Sequence, residues 1–271
     1  MVSIAYRIQS RARKTVDWIQ GWFHSWFTLN IHKFFSIPIK NLNRFERRVP
    51  FIERKEFSQN QEDGIINAIF KMIGTTNKYY VEFGVEDGIE CNTRHLLLRR
   101  GWKGLLMDGD NENESLNLHR EFITAENIES LFEKYHVPEE FDLLSIDIDG
   151  NDYWVWKAIK KINPRVVIME YNACFPWEES KTIPYKSDFS WDKTDYYGAT
   201  LQALVKLGKQ KGYTLVATDS CGVNSFFVRD DLIKGKFKPS SPENLYHPAA
   251  FKGKKGNKHP ADTTNRSWIS I

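Results

Sequence analysis

YYVEFGVEDGIECNTRHLLLRRGWKGLLMDGD, residues 79–110, decides the fold of this chain. Tyr79–Val85 is a short apolar run that meets glycine, the pattern of a buried strand rather than a surface helix. Asn92–Arg100 reads as a helix, and Gly101 stops it. Gly104–Met107 is apolar again and ends in Asp108. A strand, a helix and a second strand in this order predict two parallel neighbours joined by a crossover.

The same alternation continues outward. Ser58–Ile73 precedes the first strand as an amphipathic helix, with Ile65, Ile66, Ile69 and Phe70 on one face. After Asp108 come a short helix over Glu112–Leu118 and a weak third strand at Phe122–Thr124, then a helix through Ile128, Leu131 and Phe132. Leu143–Ile148 is the fourth strand, Tyr153–Ile162 a helix halted before Pro164, and Val166–Met169 the fifth strand. A polar and aromatic loop over 173–197 leads to a helix over Ala199–Lys211 that Gly212 closes. Thr214–Ala217 and Ser225–Val228 follow, too close for a crossover helix and therefore antiparallel. The expectation is an α/β, Rossmann-like, mainly parallel seven-stranded sheet with one antiparallel strand and helices on both faces.

The chain divides into a basic aromatic arm over 1–56, the α/β body over 57–230 and a Lys/Gly/Pro-rich extension over 231–271. Its formal net charge of +3 conceals an asymmetry. Residues 1–56 carry eleven Lys/Arg against four Asp/Glu, and the remainder 27 against 31. Trp18, Trp22, Phe23, Trp26 and Phe27 recur at helical spacing behind Arg7, Arg11, Arg13 and Lys14. Two readings of the arm stand open: peripheral membrane contact through residues 1–35, or packing on its own body or a second copy in a homo-oligomer. Nucleic acid is not expected as a partner, because the body is acidic and no base-reading module is present. Cys91, Cys174 and Cys221 form no CxxC, which argues against a disulfide framework and a zinc ribbon. With no run of about 18 apolar residues and no continuous signal core, the expected location is cytoplasmic, peripheral at a membrane's inner face if the arm binds lipid.

Ligands of an open parallel sheet bind beyond the carboxyl ends of the strands. The first strand ends in Glu82-Phe83-Gly84-Val85-Glu86-Asp87-Gly88, where Gly84 permits a tight turn, both glycines admit a ligand, and Glu82 is an acceptor for an ammonium group. Asp108 stands at the second strand end, where a carboxylate accepts both hydroxyls of a ribose. Glu126 and Asn127 follow the third, placed to read an adenine edge. Asp147, Asp149 and Gly150 end the fourth, and Glu170-Tyr171-Asn172 the fifth. The first turn lacks the middle glycine of a dinucleotide fingerprint, which favours a nucleoside ligand without phosphates.

These motifs resemble those of the FkbM-type family of class I S-adenosylmethionine-dependent methyltransferases. VEFGVEDGIECNT is similar to its first motif, LLMDGD to its second, SIDIDGNDYWVWKAI to its fourth-strand motif and RVVIMEYN to its fifth strand. The resemblance covers about residues 57–230. It implies that Glu82, Gly84 and Gly88 hold the methionine part of S-adenosylmethionine and that Asp108 holds the ribose. Asp108 is followed by Gly109 rather than the family's usual proline, and Asp149 stands where the family often has Glu.

Methyl transfer to a hydroxyl also needs a proton acceptor. No His sits at a predicted strand end, and His95 reads as packed or exposed, so the base is expected among Asp147, Asp149 and Glu170. An alternative is a divalent metal such as Mg²⁺ on Asp147, Glu170 and Asn172, hard oxygen donors on neighbouring strand ends. That arrangement is similar to macrocin-type sugar O-methyltransferases, although Glu170-Tyr171-Asn172 replaces their adjacent aspartates. The rings of loop 173–197 either pack on the sheet edge or offer faces to a carbohydrate. The expected reaction is O-methylation of a sugar hydroxyl on a glycan or lipid-linked saccharide. A non-catalytic interaction protein that keeps the fold and a nicotinamide-dependent oxidoreductase are the alternatives.

Overall fold

The computed structural model describes Phe45 and residues 49–271 except Pro239. The tryptophan-rich part of the arm, and with it the membrane or homo-oligomer contact expected of residues 1–35, lies outside the described residues. Residues 49–56, by contrast, belong to the body: Val49 is buried and joins the core under the sheet.

Seven strands form the main sheet: β1 (Tyr79–Phe83), β2 (Lys103–Asp108), β3 (Leu118–Arg120), β4 (Leu143–Ile146), β5 (Val166–Glu170), β7 (Tyr213–Thr218) and β8 (Asn224–Arg229). Their order is β3-β2-β1-β4-β5-β8-β7. The pairs from β3 through β5 are parallel, and β8 runs antiparallel to both β5 and β7. The mainly parallel sheet with one reversed strand is therefore as expected. Two residues of the loop, β6 (Lys181–Thr182), pair with β9 (Ile269–Ser270) near the C-terminus in a separate ribbon.

Side chains alternate across the strands and bury on both faces, as a doubly covered sheet requires. Val81, Phe83, Leu144, Ile146, Val167 and Met169 pack with helices α3 (Ile128–Lys134), α4 (Asp152–Ala158) and α5 (Leu201–Lys211). Tyr80, Leu106, Leu143, Val166 and Ile168 face the other way, against α1 (Glu62–Ile73) and α2 (Arg94–Arg100). The periodic Ile65, Ile66, Ile69 and Phe70 are all buried there.

Two elements differ from their predicted places. The third strand is Leu118–Arg120, not Phe122–Thr124. Asn117 turns the chain through a left-handed conformation at φ 53°, and Leu118 then pairs with Leu106, while Phe122 is left 57% exposed. Helix α4 ends at Ala158 rather than Ile162, because Glu129 of α3 accepts the main-chain N–H groups of Lys160 and Lys161 and holds the chain out of the helix.

The C-terminal extension docks as well as wanders. Trp268 packs edge-on against Phe175 and Tyr196, with ring centroids 5.1 and 5.0 Å apart. Among the described residues no helix is long and apolar enough to cross a membrane.

Candidate functional site

A cleft of about 890 Å³ opens beyond the carboxyl ends of β1, β2, β4 and β5. Its volume lies within the roughly 300–1,000 Å³ of small-molecule sites. Acids surround it: Glu62, Glu82, Glu86, Asp108, Asp147, Asp149 and Glu170 all line it.

On the β1 side, Glu82 is 3% exposed and acts first as a clamp. Its Oε1 accepts the N–H of Asn92 at 2.8 Å, and Oε2 accepts the N–H and hydroxyl of Thr93 at 2.9 and 2.6 Å. These donors fix the far end of the loop that begins at Gly84. Burial raises the Glu82 pKa while the same hydrogen bonds pull it down. Oε1 accepts one donor among the described residues and keeps acceptor capacity. Gly84 sits at φ +68°, and a β-carbon there would lie 1.6 Å from the carbonyl oxygen of Asp147. Gly88 also has positive φ, and its N–H closes a tight turn onto Val85.

Asp108 knits two loops together. Its Oδ2 accepts the N–H of Glu86 at 2.9 Å, and its Oδ1 accepts Asp110 N, Asn111 N and Asn111 Nδ2 at 2.9–3.0 Å. It stays partly exposed on the cleft wall.

Glu126 and Asn127 are not brought to the cleft. Because β3 ends at Arg120, the wall there is made by Glu121, Phe122 and Ile123. Glu126 is exposed and accepts from the Tyr185 hydroxyl. Asn127 is spent at the start of α3, accepting Thr124 N and donating to the Phe122 carbonyl, both at 2.8 Å.

On the β4 and β5 side, oxygens of Asp147, Asp149 and Glu170 all lie within 4.8 Å of one another. Asp149 stands at φ +55°, a backbone region that costs a non-glycine residue energy. Asp152 imposes it: its carboxylate accepts the N–H groups of Ile148 at 2.8 Å and Gly150 at 2.9 Å, folding residues 148–150 into a pinned turn. The ring of Phe189 lies on Gly150, where a β-carbon would come within 2.3 Å of it. Burial and the neighbouring acids push the pKa values of Asp147 and Glu170 well up; burial together with Asp152 and Glu86 pushes Asp149 up to about 6.

Asn172 is absent from this cluster. Its Nδ2 donates to the carbonyls of Asp195 and Tyr197 at 2.8 and 2.9 Å, and its Oδ1 accepts Cys174 N at 3.1 Å. Asn172 does not line the cleft, so the expected trio Asp147, Glu170 and Asn172 is not brought together there; the acid beside Asp147 and Glu170 is Asp149. Asn172 follows the strand end by two residues, where the chain already turns into the loop and uses its amide as an internal brace.

Several lining residues carry no signal in the sequence. Lys55, Gln59, Asn60 and Glu62 form one wall from the segment before β1, and Lys55 pairs with Glu90 across the cleft mouth. Phe251, Lys252 and His259 come from the C-terminal extension. His259 sits among Trp191, Phe251 and Tyr197, with centroids 4.6, 4.6 and 5.5 Å away, and burial lowers its pKa. Of the rings in loop 173–197, only Phe189 and Trp191 reach the cleft, and Tyr196 and Tyr197 are buried. His95, away from the cleft, is buried between Glu56 and Asn67.

The strand order and single reversed strand define a Rossmann-like class I methyltransferase fold. No protein-family model matches the chain, and no curated protein does. Among solved structures, the pyocyanin biosynthetic protein PhzM aligns over 60% of this chain and 54% of its own, at 12% identity and TM-score 0.32. An O-methyltransferase family protein from Burkholderia thailandensis aligns over 67% of each chain, at 11% identity and TM-score 0.37. The O-methyltransferase from Bacillus cereus in complex with SAH aligns over 66% of this chain and 83% of its own, at 14% identity and TM-score 0.35. The chain thus spans about half the length of the first of these.

Proposed function

We propose that this chain transfers the methyl group of S-adenosylmethionine to a hydroxyl of a saccharide. The observation that carries the reading is the division of one cleft into two chemical halves. Glu82, Gly84 and Asp108 form a hollow at β1 and β2, and Asp147, Asp149 and Glu170 form a carboxylate cluster at β4 and β5.

The first half suits a nucleoside with a cationic tail. Asp108, a carboxylate at the end of the second strand on the cleft wall, takes the ribose hydroxyls in this reading, Gly84 lets the ligand approach the main chain, and the acids of the wall favour ammonium and sulfonium charge. Glu86 occupies the middle of the turn, where a dinucleotide's pyrophosphate needs glycine and no negative charge, which weighs against a nicotinamide cofactor. S-adenosylmethionine supplies a methyl group already activated on sulfur, so the protein's share is alignment and proton removal. One carboxylate among Asp147, Asp149 and Glu170 would take the single proton of the acceptor hydroxyl as the methyl group leaves sulfur and S-adenosylhomocysteine departs. Phe189, Trp191 and Phe251 give the acceptor wall apolar faces beside hydroxyl-binding acids, which suits a sugar ring.

Titration calorimetry with S-adenosylmethionine, S-adenosylhomocysteine and NADH tests the cofactor. The first two should bind and NADH should not. No binding of either adenosyl compound would leave the non-catalytic interaction reading and overturn this one. Transfer of labelled methyl groups to a panel of oligosaccharides, with phenols as the control class, tests the acceptor.

A further inference from the structure

Three carboxylates in the cleft have no counter-charge among the described residues. Among the described residues no cation forms an ion pair with Asp147, Asp149 or Glu170, and no N–H or O–H donates to their carboxylates, whose oxygens lie within 4.8 Å of one another. Oε2 of Glu170 is sealed from solvent and has no hydrogen-bond partner among the described residues. Like charges held this close in a partly dry cleft are unfavourable unless something positive joins them.

A second, independent oxygen points the same way. Asn224 is 3% exposed and stands directly opposite Glu170 in the β5–β8 ladder, so the two side chains share one face of the sheet. Its Nδ2 donates to Glu62 Oε1 at 2.9 Å, which orients the amide. Among the described residues its Oδ1 has no partner, and Asn224 lies on the wall of the same cleft. A buried amide oxygen without a donor is costly, and the surrounding acids offer none.

We infer that Asp147, Asp149 and Glu170 bind a divalent hard cation, with Asn224 Oδ1 as the neutral oxygen of the same wall. The donor set is all oxygen, as Mg²⁺, Mn²⁺ and Ca²⁺ prefer. The 4.8 Å envelope compares with about 4.2 Å between opposite ligands of octahedral Mg²⁺ and about 5 Å for Ca²⁺. Asp149, the most exposed of the three on its pinned turn, closes the small difference for the smaller ions. A role for the cation in lowering the pKa of an acceptor hydroxyl rests on the methyl-transfer reading. Occupancy of the site does not.

The test uses the full chain, stripped with EDTA and then dialysed free of it, with Mn²⁺ alone as the probe. Calorimetry and loss of the free Mn²⁺ electron-resonance signal should both report one saturable site per chain, and Mg²⁺ and Ca²⁺ should compete for it. A group that merely orients a metal ligand is worth about 10–100-fold in affinity, so Asp149→Asn and Glu170→Gln should each weaken Mn²⁺ by more than about tenfold. Mn²⁺ should raise the melting temperature of the wild type and not of Asp149→Asn, with circular dichroism confirming that the variant is folded. Absence of saturable binding by the wild type, or unchanged affinity in both variants, would overturn the inference. S-adenosylmethionine titrated in EDTA reports on the cofactor half separately: binding there without any Mn²⁺ site removes the cation alone, and a Mn²⁺ site without cofactor binding removes the methyl-transfer reading alone.

Discussion

Gly84 and Asp147 touch through their main chains: a β-carbon on residue 84 would stand 1.6 Å from the Asp147 carbonyl oxygen. The turn after β1 and the end of β4 are thereby set against each other, and with them the two halves of the cleft. The contact explains why glycine is required at residue 84 on two counts, close approach and φ +68°.

Gly84→Ala should therefore lose more than the roughly 1–2 kcal/mol that left-handed backbone costs other residues. The added methyl must also push β1 and β4 apart. Denaturant melts should show the loss of stability, and calorimetry should show cofactor binding abolished. A variant with wild-type stability would contradict the close contact.

Glu82→Gln should weaken cofactor binding and destabilise the loop together. The carboxylate accepts three donors, and an amide would turn an NH₂ group toward one side of them. A buried unsatisfied donor costs about 1–3 kcal/mol. Thermal melts measure that cost, and proteolysis within 84–93 should accelerate in the variant.

Asp108→Ala should weaken the ligand as well as loosen the two loops that its carboxylate joins. Hydrogen bonds to charged groups are worth about 1.5–3 kcal/mol, so loss of the ribose acceptor should weaken S-adenosylhomocysteine by roughly 10- to 150-fold. Binding of the ribose-free amino acid methionine, measured by competition, should change less. Equal losses for both would place Asp108 outside the ribose site.

Asp142→Ala should be among the most destabilising single changes away from the cleft. Asp142 is fully buried at the start of β4, 2.6 Å from Arg165 Nη1, and accepts the N–H groups of Thr76 and Lys78. Removing one partner of a buried ion pair leaves the other charge unmatched, at about 3–5 kcal/mol. Urea unfolding measures it.

Acid should destabilise the fold through His247. Burial lowers its pKa, and its Nδ1 meets the Thr218 hydroxyl at 2.8 Å. The unfolded chain takes up a proton near pH 6.5 that the folded chain refuses, so the contribution is present above that pH and lost as pH falls below it. His247→Gln should flatten the stability–pH slope below about pH 6.5 by up to about 1.4 kcal/mol per pH unit. An unchanged slope would show that His247 titrates alike in both states.

The sequence by itself determined the sheet. The apolar runs at Tyr79, Gly104, Leu143 and Val166 bury on both faces, so each had to be a central parallel strand. The few residues between Thr218 and Asn224 forced the reversed strand. Glu82, Gly84, Asp108, Asp147, Asp149 and Glu170 were legible because strand ends are fixed by the strands. The third strand was not, since Leu118-His119-Arg120 carries one apolar residue and its pairing with β2 is a long-range contact. That shift moved the cleft wall from Glu126 and Asn127 to Glu121–Ile123.

Only the tertiary structure decided which oxygens meet. Asn172 and Asp149 both stand just past a strand end, but the Asp195 and Tyr197 carbonyls bind the Asn172 amide while the Asp152 carboxylate holds the turn that carries Asp149. Asn224 joins the cleft through cross-strand register, and His259 through the docking of the tail on aromatic rings. Local patterning specifies strands because burial acts on neighbouring residues. It does not specify a site assembled from many distant segments, whose geometry depends on packing between them.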